Sequence, residues 1–150
     1  MDANNNGASG GGISQVFTVP SYQNSLVLPV KLGDHPGRGV PDVSANADPD
    51  TGYAVFFQGG SAVVGGTSAA SPLWAALVAR LNQARSENGK GTIGYLHPWL
   101  YPLGDTAAFH DITAGNNNYD GVVGYVCTPG WDAVTGWGSP NAAALIDALT

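Results

Sequence analysis

Hydrophobic positions come in short runs along the first 66 residues and then change period. Residues 15–19 and 26–28 are β-prone pieces cut off by Pro20 and Pro29. Residues 31–41 form a Gly/Pro loop, and 40–45 reads as a short buried strand. Asp48-Pro49-Asp50-Thr51-Gly52 is turn chemistry. Residues 53–58 and 61–64 flank Gly59-Gly60 and predict a β-hairpin.

From Ser68 the spacing becomes helical. Leu73, Leu77 and Leu81 recur at i, i+4, i+8, with Trp74 and Val78 in the adjacent row. Ala69, Ala70, Ala75, Ala76 and Ala79 fill the other positions. The pattern predicts a helix over 68–86, apolar on every side of its first three turns and therefore buried all round. Pro72 falls in its first turn, where a missing N–H costs little, and Asn88-Gly89 supplies the stop. A short helix is predicted near 96–100, and a closing helix over 141–149 behind Ser139 as N-cap and Pro140. Residues 104–138 are rich in Gly, Asn and Asp, and an irregular stretch of that length carries a function or holds an ion. No internal repeat is present.

Composition narrows the classes. The 150 residues suit one domain. Glycine accounts for 22 of them without a three-residue period, which excludes collagen, and 43% hydrophobic content with only 11% charge excludes a wholly disordered chain. The net charge of −6, with Lys31, Arg38, Arg80, Arg85 and Lys90 as the only basic side chains besides histidine, argues against nucleic acid and anionic membranes as partners. No apolar run reaches the ~18 residues of a membrane span. Cys127 stands alone, so neither an intramolecular disulfide nor a cysteine-based zinc site is available. Residues 1–12 read as a loop or entry segment without a leader; if the protein is secreted, the leader lies outside this chain.

The sharpest chemical signal is Gly65-Gly66-Thr67-Ser68-Ala69-Ala70-Ser71-Pro72. A hydroxyl at a helix start meets free N–H groups and the positive end of the helix dipole, which favour the oxyanion formed when it attacks a carbonyl. An ordinary N-cap serine fits the same position. The octet resembles the Ser-Gly-Thr-Ser-x-x-x-Pro signature of the subtilisin clan and its acid-acting branch, the sedolisins or serine-carboxyl peptidases. Further stretches resemble the sedolisin branch in family order: Ser9-Gly10-Gly11-Gly12-Ile13-Ser14, Arg38-Gly39-Val40-Pro41-Asp42-Val43-Ser44-Ala45, Asp48-Pro49, Phe109-His110-Asp111-Ile112-Thr113, Pro129-Gly130-Trp131-Asp132 and Thr135-Gly136-Trp137-Gly138-Ser139-Pro140. Gly65 stands where the family usually has Ser.

The resemblance implies residues 1–150 of a C-terminal portion of a sedolisin-type catalytic domain. Its fold class would be α/β, part of a subtilisin-like fold with a mostly parallel sheet and a buried central helix starting at the nucleophile Ser68. The family's mechanism uses a glutamate base held by an aspartate in a Glu-x-x-x-Asp turn well upstream of the serine, with another aspartate at the oxyanion. The one glutamate here, Glu87, follows Ser68 and has Gly91 four residues on, so it cannot be that base. Asp42 and Asp48 belong to a different motif and read as holders of loop structure. His35 reads as a surface residue, His97 as a capping or packing residue and His110 as a neighbour of an ion loop. Without a base the alcohol of Ser68 is a poor nucleophile, so the chain alone is expected to be inactive.

Asp111-Ile112 and 128–132 supply two carboxylates and several carbonyls, which suits a hard cation, although on the residues alone a pair of Asx turns is the better reading. The resemblance implies one structural calcium on Asp111, Ile112, Thr128, Gly130 and Asp132, where the family often has Gly at the position of Thr128. Asp120 reads as a turn residue. The expected function is thus a fragment of a secreted, acid-acting endopeptidase on polypeptide substrates, partnered by the missing upstream half or by another copy. A calcium-stabilised binding module and an inactive homologue are the alternatives.

Overall fold

The computed structural model describes residues 7–29 and 36–150; the readings at positions 1–6 and 30–35, His35 among them, lie outside the described residues. Three helices and six strands follow in the order β1 (Gly12–Ile13), β2 (Gly39–Val40), β3 (Tyr53–Phe57), β4 (Gly60–Val64), α1 (Thr67–Glu87), α2 (His97–Leu100), β5 (Phe109–His110), β6 (Ser139–Pro140) and α3 (Ala142–Leu149).

The core gathers where α1 meets α3. Leu81 of α1 and Leu145 and Leu149 of α3 are buried together with Leu100, Phe109, Trp131 and Trp137. Arg85 locks this corner: its guanidinium donates to the Leu149 carbonyl at 2.6 Å and to the Gly91 carbonyl at 2.8 Å. The segment following β2 runs extended beside the tryptophan loop, with Trp137 N–H donating to the Asp42 carbonyl at 3.0 Å and Ser44 N–H to the Gly138 carbonyl at 2.9 Å. Gly66 N–H then donates to the Ala47 carbonyl at 2.6 Å, which sets the extended segment against the start of α1.

The expected parallel sheet is not formed among the described residues. Their ladders are three separate antiparallel pairs, β1 with β2, β3 with β4, and β5 with β6. The strand expected over 40–45 is ordered through bonds to loop residues 137 and 138 and ends as a ladder at Val40. The pieces at 15–19 and 26–28 form no strand; a 3-10 turn at Ser21–Gln23 lies between them. Gln23 explains the turn. Its side chain is fully buried, donates to the Gly39 carbonyl and accepts from Gly39 N–H, both at 2.9 Å, and so uses the backbone bonds a strand partner would take.

The helix over 68–86 exists, but it is not buried all round. Only Leu81 is fully buried, and Ala75, Ala76 and Ala79 are exposed. The apolar period fixed the helix correctly and overstated its covering, because nothing among the described residues lies over the alanine face. The closing helix begins at Ala142, one residue later than predicted, and its N-cap is Asn141 rather than Ser139. Ser139 and Pro140 pair with β5, and Asn141 caps α3 by accepting from Ala144 N–H at 3.4 Å. No helix of the described residues is long and apolar enough to cross a membrane.

Candidate active site

Gly66 precedes α1 with φ at +83°, a conformation glycine takes without strain, and it turns the chain sharply into the helix. Ala69 N–H donates back to the Gly66 carbonyl at 2.9 Å. No side chain caps this end and no acid lies in the first turn, so the positive end of the helix dipole is left uncompensated among the described residues. Ser68 is the second residue of α1 and is exposed. It is therefore not an N-cap, and its hydroxyl is accessible beside the open N–H groups.

No base stands next to it. Glu87 occupies the far end of the same helix, 19 residues on, or about 28 Å at 1.5 Å per residue, and there accepts from the Gln83 amide at 2.9 Å.

One turn beyond Ser68, Ser71 lines an open cleft of about 650 Å³ between α1, α2 and the segment that follows β2. Asp42 is its charged centre. The carboxylate accepts from Tyr101 Oη at 2.9 Å, pairs closely with Arg38 and lies 3.3 Å from His97 Nε2. His97 packs in this cluster, between Tyr95 at 4.8 Å and Tyr22 at 5.6 Å centroid to centroid, the latter nearly parallel. Sequence reading gave Asp42 only a loop role; the available signal was Arg38 and Asp42 four residues apart across Pro41.

Burial, and after it the charge of Asp42, push the Tyr101 phenol far above its ordinary range, against a lowering bond from Gln23. A raised folded-state pKa keeps its stability below the unfolded value and loses it as pH rises. Unfolding free energy should accordingly hold to about pH 10 and fall above it as the unfolded phenol ionises. Tyr101→Phe should lose about 1–2 kcal/mol at pH 8 and flatten that alkaline fall, as read by urea unfolding at pH 8 and 11. An unchanged slope would contradict the assignment.

The second cluster is built on Asp132, which is 3% exposed. One of its oxygens accepts from the N–H groups of Val134 at 2.9 Å and Thr135 at 2.8 Å, and the other from Thr128 N–H at 3.0 Å. Asp111 is exposed and accepts from Gly130 N–H at 2.9 Å. These bonds bring Asp111, Thr128, Gly130 and Asp132 into one loop cluster, with Ile112 next in sequence on its exposed rim. Cys127 is buried there, its thiol pushed up by burial first and then by the charges of Asp132 and Asp111. Among the described residues no three His, Cys, Asp or Glu side chains converge as a metal cluster. Asp120 stands in the tight turn joining Tyr119 to Val122, as expected.

Comparison with known proteins now decides the family. The chain is 49% identical to kumamolisin from Bacillus sp. (strain MN-32) over 151 residues, which cover 99% of it and 26% of that protein. It is 36% identical to aorsin from Aspergillus oryzae, over 93% of the chain and 24% of the relative. The solved structure of Pseudomonas sedolisin, a serine-carboxyl proteinase complexed with two molecules of pseudo-iodotyrostatin, superposes with a TM-score of 0.75 at 36% identity. That match covers 92% of this chain and 35% of the other. The chain belongs to the sedolisin family. No family model matches it. It spans about a quarter of the length of the curated relatives it matches, and the likeness to Pseudomonas sedolisin supports an α/β peptidase fold.

Proposed function

We propose that this chain is the nucleophile-bearing part of a sedolisin-type serine-carboxyl endopeptidase that cleaves polypeptides in acid, outside the cell. The observation that carries the reading is the exposed Ser68 at the uncapped start of α1. In the assembled enzyme the Ser68 hydroxyl attacks the scissile carbonyl. A glutamate on a segment outside these 150 residues takes its proton, and an upstream aspartate together with the helix N-terminus holds the oxyanion. A carboxylate base, with a reference pKa of ~4.3, remains competent where histidine at ~6.5 is protonated. The same segment would supply the parallel strands of the complete sheet and cover the alanine face of α1, and the chain alone would be inactive.

The loop cluster fits calcium: its side-chain donors are carboxylates, and no soft ligand competes beyond the buried Cys127. Asp111, Ile112, Thr128, Gly130 and Asp132 would hold the ion, which would supply rigidity and take no part in bond cleavage.

The test is a serine-directed phosphonate, applied to the chain with and without the upstream polypeptide at acidic pH. An adduct on Ser68 only in the two-part sample is expected. Calcium binding with no adduct in either sample would replace the reading by a calcium-stabilised binding module or an inactive homologue.

A further inference from the structure

The loop at 46–51 is tied to the entry of α1 through backbone. Gly66 N–H donates to the Ala47 carbonyl at 2.6 Å, and the Gly66 carbonyl accepts from Ala69 N–H at 2.9 Å. Gly66 is thus held on one side by the loop and on the other by the first helical turn, which carries Ser68. The approach is close. A Cβ on Gly65 would run into the Cα of Pro49, and one on Gly52 into the Val64 carbonyl. One side chain braces this loop from within. Asn46 accepts from Asp48 N–H at 3.1 Å through Oδ1 and donates from Nδ2 to the Thr51 carbonyl at 2.8 Å. These two bonds close the loop around Ala47, and so fix the acceptor that Gly66 uses. Asn46 is itself exposed and lies outside the core. Its hydrogen bonds among the described residues all stay within the loop.

We propose that Asn46 is a positioning residue for the Ser68 hydroxyl, acting through the Ala47 carbonyl and Gly66. The inference rests on the reading of Ser68 as the nucleophile. An attacking oxygen tolerates little displacement, since a shift of about 1 Å costs on the order of 10²-fold in rate. Without the Asn46 brace the Ala47 carbonyl loses its fixed place, and the Gly66 N–H loses the bond that anchors it to the loop. The first turn of α1 is then free to tilt, and the hydroxyl tilts with it.

Two measurements test this. Amide exchange of Gly66 in the 150-residue chain reads the bond to Ala47, and the rate of phosphonate labelling of Ser68 in the two-part sample reads the placement of the hydroxyl. In Asn46→Ala, Gly66 exchange should quicken at least ~10-fold. Labelling should slow at least ~10-fold, with kcat falling while KM and melting temperature hold. Asn46→Ser, whose hydroxyl can still accept from Asp48 N–H, should recover part of both. Thr106→Ala removes a comparable side-chain brace, from Leu103 to Ala108, and should leave both unchanged. A labelled wild type in which Asn46→Ala alters neither quantity, or only one of them, would overturn the proposal. So would equal losses in Thr106→Ala, or an Asn46→Ser variant no better than Asn46→Ala. A wild-type sample that takes no phosphonate would overturn the reading of Ser68, and this role with it.

Discussion

Ser68→Ala should abolish hydrolysis of polypeptides by the proposed assembly of this chain with an upstream segment, a loss of at least about 10³-fold in kcat. The reasoning is chemical. An alanine leaves the helix terminus, the cleft and every core contact in place, since the exposed Ser68 makes no core contact. In the proposed reading it removes only the atom that would form the acyl-enzyme, so kcat should collapse while substrate affinity and melting temperature hold. Ser71→Ala is the comparison. Ser71 lies one turn on in the cleft with Asp42 and His97, and if that trio performed the chemistry, its loss would be the severe one. The pH profile separates the two alternatives a second time. Activity supported by a carboxylate base persists to about pH 4–5, whereas a histidine base fails below about 6.5. Full activity of Ser68→Ala, or equal phosphonate labelling of both serines, would sink the assignment.

Local rules found the elements that are locally determined. The Leu73, Leu77, Leu81 period located α1 to within a residue at each end, and Gly59-Gly60 marked the tight turn of the hairpin to within one residue, the turn itself being Gln58-Gly59. They misjudged what depends on distant partners. Whether Ala75 and Ala79 are covered is a matter of what lies over the helix, and apolar composition cannot report that. Likewise β5 and β6 are two residues each and pair across 28 intervening positions, so neither shows a period of its own. Ser139-Pro140 reads as a helix start because its local chemistry is that of one, yet pairing with Phe109-His110 claims those residues first. The site divides the same way. The motif singled out Ser68, and the structure places it second in α1. The hub at Asp42 was not legible, because Tyr101 and His97 reach it from more than fifty residues away.

Asp132 carries the second large expectation, and it can be separated from any bound ion. In Asp132→Ala the N–H groups of Thr128, Val134 and Thr135 lose their common acceptor inside a largely buried loop. Each stranded donor costs about 1–3 kcal/mol, so a total of about 3–5 kcal/mol is expected after relaxation, a large share of the usual ~5–15 kcal/mol. This cost is present with or without calcium. Asp111 gives the complementary result. It is exposed and among the described residues accepts from Gly130 N–H, so Asp111→Ala should cost under about 1 kcal/mol in chelator. In wild-type chain, calcium at 100 times its dissociation constant should add about 2.7 kcal/mol, and Asp111→Ala should lose that increment entirely. Thermal melts of the three proteins in chelator and in calcium read both effects. If calcium fails to raise the wild-type midpoint, the ion is excluded, while the destabilisation by Asp132→Ala must remain, because it follows from the hydrogen bonds alone.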